Sequence, residues 1–74
     1  MTQKQKQRIL NEIHTVNIKL VHALEENNVK AAIYNAGVLQ GPFNAYGVEK
    51  IEKEFPFAYS FSKKEIAQAL DLLK

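Results

Sequence analysis

Apolar residues recur along the first third of this chain at helical spacing, and they cover too much of the helix circumference for an element packed on one side only. Placing successive residues about 100° apart, Ile9, Ile13, Val16, Leu20 and Leu24 form one narrow stripe. Leu10 and Val21 flank it, and Ile18 lies nearly opposite, between His14 and His22. The pattern predicts one helix from Thr2 to Glu26. Its start carries a capping box, in which the Thr2 oxygen serves the backbone N–H of Gln5 and the Gln5 side chain reaches back. Asn27-Asn28 is expected to end this helix and start the next, because asparagine tolerates left-handed backbone and also caps helix N-termini.

A second helix is predicted from Val29 to Leu39, with Val29, Ala32, Ile33 and Ala36 at helical spacing and a stop at Gly41-Pro42. Residues 42 to 47 fit either helix or loop. The helical pattern returns at Val48, where Val48, Ile51 and Phe55 share a face, Glu49 and Lys53 have the favourable i, i+4 order, and Pro56 closes the segment. Phe57-Ala58-Tyr59-Ser60-Phe61 alternates large and small side chains, the period of a strand. No second strand is legible to pair with it, so it reads as an extended linker laying rings on the helices, with an edge strand paired across a dimer as the alternative. The last helix is expected to start at the capping box Ser62-Lys63-Lys64-Glu65 and to bury Ile66, Ala69, Leu70 and Leu73, with Leu72 directed elsewhere.

These elements make an all-α fold: a small three- to four-helix bundle with a long N-terminal helix, in a single domain over residues 1–74. A chain of this length buries only about 60% of the surface it exposes when unfolded. The apolar fraction of 46% supports a folded core, but the absence of cysteine removes disulfides and thiolate metal clusters as staples. Oligomerisation is the staple left over. The width of the first helix points to a homodimer, with Leu10, His14, Ile18, Val21 and His22 as the candidate partner-binding face.

Candidate chemistry adds little to this picture. His14 and His22, about 12 Å apart along a helix at 1.5 Å per residue, cannot chelate one ion together, and His22 with Glu26 supplies only two ligands. Glu49, Glu52 and Glu54 alternate with Lys50 and Lys53, as on a solvated helix face. The three glycines form no phosphate loop. No catalytic residue, metal site or cofactor is expected. Ala32-Ile33-Tyr34-Asn35-Ala36-Gly37-Val38 has the small residue, glycine and aliphatic residue of a helix-turn-helix. The recognition helix would then have to run through Gly41-Pro42 with no basic residue in Phe43-Asn44-Ala45-Tyr46-Gly47.

The formal charge of +2 is unevenly spread: residues 1–24 carry +3, residues 25–54 carry −2 and the remainder +1. Lys4, Lys6 and Arg8 stand at one predicted helix N-terminus and Lys63 and Lys64 at another, where cations oppose the helix dipole and a bound anion would offset that. They are the candidate anion-binding residues. All seven aromatic residues lie between Tyr34 and Phe61, and Phe55 to Phe61 contains no lysine or arginine, so the rings read as packing groups rather than base-stacking platforms. No apolar run reaches the length of a membrane span, and the polar start MTQKQKQR lacks the apolar segment of a secretion signal; a cytoplasmic location is expected. Nine lysines against one arginine, with six asparagines, suit an AT-rich coding genome such as a low-GC bacterium or its phages. The expected function is a non-enzymatic protein-interaction or regulatory module, an accessory protein of a bacterium, phage or mobile element. A small protein that binds nucleic-acid phosphates through its basic helix N-termini is the alternative.

Overall fold

The computed structural model describes residues 2–74, which form four helices and, among the described residues, no strand: α1 (Gln3–Glu25), α2 (Val29–Tyr46), α3 (Val48–Glu54) and α4 (Pro56–Asp71). The all-α bundle with a long N-terminal helix is thus the observed fold. At about 1.5 Å per residue, the 23 residues of α1 span about 34 Å, nearly the full 38 Å length of the molecule. Both halves of the Thr2 capping box are formed, with Gln5 N–H donating to Thr2 Oγ1 at 3.2 Å and Thr2 N–H donating to Gln5 Oε1 at 2.9 Å. The turn after α1 works as its two asparagines suggest. Asn27 takes left-handed backbone, φ 53°, and the Asn28 side chain accepts the N–H of Ala31 at 3.1 Å to cap α2.

α2 returns antiparallel to α1, since Val38 lies beside Val16 while Pro42 and Tyr46 lie beside Arg8. α3 is a short helix that links the end of α2 to the start of α4, and α4 then runs parallel to α1, with Leu10 next to Phe57 and Asn17 next to Ser62. Ile9, Ile13, Leu20 and Ala23 of α1, Ala32, Ala36, Leu39 and Phe43 of α2, Ile51 of α3 and Ala69 of α4 make one buried core. Val16 and Leu24 pack at its margin. The alanines let α2 approach α1 closely, which is how a short chain covers a long helix.

Three expectations from the sequence are corrected. α2 does not stop at Gly41-Pro42 but continues to Tyr46, so residues 42 to 46 are helix. Pro42 removes one helical hydrogen bond, to the carbonyl of Val38. Gly41 has no Cβ to clash with the proline ring, and Leu39 and Phe43 on either side are buried in the core. The stop comes at Gly47, whose φ of 91° and ψ of 126° suit glycine alone.

The segment Phe57 to Phe61 is neither linker nor strand but the start of α4. Pro56, expected only to close the preceding helix, also occupies the first turn of the next, where its missing N–H costs nothing. In a helix the alternating rings separate: Phe57 and Phe61, four apart, share an outward face, while Tyr59 turns inward with its ring centroid 5.7 Å from that of Phe43.

Ser62 is accordingly no N-cap. It is buried in the middle of α4. Of the expected stripe, Ala69 is buried and Ile66 packs against the core, but the helix is rotated so that Ser62 and Glu65 also face inward, Leu72 packs against the core, and Leu70 and Leu73 are exposed at 47% and 64%. Core and surface leucines should therefore behave differently. Leu20→Ala is expected to lower the unfolding free energy by about 3 kcal/mol, whereas Leu73→Ala should change it by less than about 0.5 kcal/mol, both read from urea denaturation.

Candidate functional site

The residues proposed from the sequence as a partner-binding face do share one surface, and the structure adds a wall the sequence did not reveal. Leu10 and Val21 are half-buried on α1, while His14, Ile18 and His22 are exposed, Ile18 at 48%. Beside them α4 presents Phe57, 90% exposed, and Phe61. The two helices enclose a groove of about 580 Å³ lined by Leu10, Asn11, Ile13, His14, Asn17, Phe57, Ala58 and Phe61. It adjoins a smaller one of about 190 Å³ lined by His14, Asn17, Ile18, Val21, His22 and Phe61. His14, Asn17 and Phe61 belong to both and form the saddle between them.

None of these lining residues is lysine, arginine, aspartate or glutamate, in a chain that is 24% charged. Charge is thus depleted around these exposed aromatic rings, a composition that the centres of protein interfaces share.

Asn17 holds the saddle in place. Its amide nitrogen donates to Ser62 Oγ at 2.9 Å, and that hydroxyl donates to the carbonyl of Ala58 at 2.7 Å. The Asn17 residue is 6% exposed, and its Oδ1 has no hydrogen-bond partner. Rotating the amide by 180° would exchange the orphan oxygen for an orphan NH2, because Ser62 supplies a single hydroxyl. A lone unmet acceptor beneath an apolar saddle is a standing cost.

The candidate anion-binding residues do not converge. Lys6 Nζ is bound to Glu54 at 2.9 Å, tying the first turns of α1 to the end of α3. Lys63 and Lys64 lie in the body of α4 rather than at its N-terminus, and Lys63 Nζ sits 5.9 Å from the centroid of the Tyr59 ring. Lys4 and Arg8 border a broader groove of about 850 Å³ between α1 and α2, together with Glu12, Val16, Val38 and Pro42. Charges of both signs on that rim are what solvated surface carries. Among the described residues no three His, Cys, Asp or Glu side chains gather as metal ligands, and no helix is long and apolar enough to cross a membrane.

Phe57 and Phe61 escaped sequence reasoning because their helix was not recognised; their i, i+4 spacing was the available signal. Asn17 interrupts the apolar side of α1 and was the other. Comparison with protein-family models, curated proteins and solved structures finds no match.

The polar pair and the ion pair each yield a measurable consequence. Ser62→Ala, which leaves the buried Asn17 amide without any partner, should destabilise the fold by about 1–3 kcal/mol, whereas Asn17→Ala, which removes the orphan oxygen and leaves Ser62 bonded to Ala58, should cost less. The double variant should lose less than the sum, with a coupling of about 1 kcal/mol in a denaturation cycle. The hydrogen bond and charge of Lys6 hold the Glu54 carboxyl below the usual carboxylate range. Because the folded value is depressed, the ion pair contributes stability above the unfolded glutamate pKa and loses it as pH falls through the folded one. In a side-chain carbon NMR titration, Lys6→Met should move the Glu54 midpoint upward.

Proposed function

We propose that this chain is a non-enzymatic protein-interaction module whose working surface is the face shared by α1 and α4. The observation that carries the proposal is the two adjoining grooves: an apolar surface without one lysine, arginine, aspartate or glutamate, walled by a 90% exposed phenylalanine. Water gains nothing from such a surface, and covering it removes apolar area at about 25 cal/mol per Å². A regulatory or accessory role is compatible with a small chain whose working surface is a single face of this kind. Phosphate binding by the basic residues has less support, because Lys6 is engaged by Glu54 and Lys63 and Lys64 stand away from any helix N-terminus.

Photo-crosslinking in the native host tests the proposal. With a benzophenone amino acid in place of Phe57, discrete crosslinked protein species should form. With the same group in place of Tyr34, exposed on α2, they should not. Equal products from both positions, or none from Phe57, would refute the reading.

A further inference from the structure

We infer that the α1/α4 face is the two-fold interface of a homodimer, in which α1 lies antiparallel to the α1 of a second copy with Ile18 at the centre. This rests on the reading that the face docks a protein, and adds the occupant and the register. Ile18 stands at the middle of one outward stripe of α1. His14 and His22 lie four positions to either side, and Asn11 and Glu25 lie seven. In an antiparallel two-fold pair, each residue before Ile18 faces the residue the same number of positions after it in the partner. Ile18 then meets the partner's Ile18, His14 meets the partner's His22, and Asn11 meets the partner's Glu25. These three pairings are chemically compatible: apolar on apolar, two imidazoles able to share an N–H···N hydrogen bond, and an amide donating to a carboxylate; Leu10 and Val21 lie at the edge of this stripe, on the side of α4.

Charge selects the same arrangement. A self-complementary interface sets a surface against itself, so a strongly charged face would oppose its like; the grooves at the centre carry no such charge. Towards the ends, Lys4 and Arg8 mark the first turns of α1, and Glu25 and Glu26 its last. Antiparallel pairing turns the basic end of one helix towards the acidic end of the other and opposes the two helix dipoles. Parallel pairing would set like against like.

The two-fold also places both copies of α4 on the same side of the α1 seam. Phe57 and Phe61 of each chain thereby border the apolar surface that a lone chain leaves uncovered.

The chain has no cysteine, so introduced thiols report the register without background. Ile18→Cys should form a disulfide-linked dimer under mild oxidation, at least about tenfold more than Gln40→Cys on the exposed side of α2. His14→Cys alone should not crosslink, because the two copies of position 14 lie about 12 Å apart along the seam at 1.5 Å per residue. His14→Cys/His22→Cys should. By sedimentation equilibrium the wild type should be a dimer at tens of micromolar and Ile18→Glu a monomer, with circular dichroism showing that the variant is still helical. Should Ile18→Glu fail to fold, the cysteine pattern decides. A wild-type monomer at high micromolar concentration, equal crosslinking from Gln40→Cys, or crosslinking by His14→Cys alone would overturn the inference. If the chain is a monomer while the benzophenone at Phe57 still captures a different protein, the dimer falls and the interaction module stands; if that capture also fails, both fall.

Discussion

One hydrogen bond, from the Asn17 amide to the Ser62 hydroxyl, sets the rotation of α4 against α1, and the character of the exposed surface depends on that rotation. Ser62 is fully buried, so its position fixes the facing of its neighbours at helical spacing: Glu65 and Ala69 turn inward, while Phe57 and Phe61 turn out. Turning α4 by one residue would move the phenylalanines towards the core and strand Asn17 without any partner. The polar pair therefore adds specificity more than net stability, since a buried amide half-satisfied is worth little by itself.

How far the chain could be read from its residues varies with where the deciding physics lies. The start of α1 and the turn after it were legible because capping by Thr2, Gln5 and Asn28 is local chemistry. The length of α2 was not, because what carries it past Gly41-Pro42 is the burial of Leu39 and Phe43 against distant residues. The aromatic stretch after Pro56 fits a strand period and a helical one equally well over five residues; proline at the first helical position decides between them. Ser62 shows how a genuine local signal misleads: Ser-x-x-Glu fits a capping box, but an earlier helix start leaves the serine free to bond Asn17 instead.

The same division runs through the candidate surface. Its α1 half, from Leu10 to His22, was readable because a long helix makes leftover apolar residues obvious. Its α4 half was hidden with the helix that carries it. Seen together, the two halves separate the molecule's grooves by chemistry. The one between α1 and α2 is larger and bordered by lysine, arginine and glutamate, whereas the one between α1 and α4 is smaller and bordered by imidazole, amide and phenyl groups.

The parallel placement of α1 and α4 also bears on the order of assembly. α1 and α2 are joined by a short turn, so their pairing closes a small loop, while Asn17 and Ser62 are 45 residues apart and meet only after a large one has closed. Loop-closure entropy favours the antiparallel pair as the early structure and α4 as the late arrival. Until α4 docks, the flank of α1 that it covers stays in water. The phenylalanine-walled groove has one wall on each of these helices, so it exists only once α4 has docked on α1 and belongs to the completed fold rather than to either helix alone.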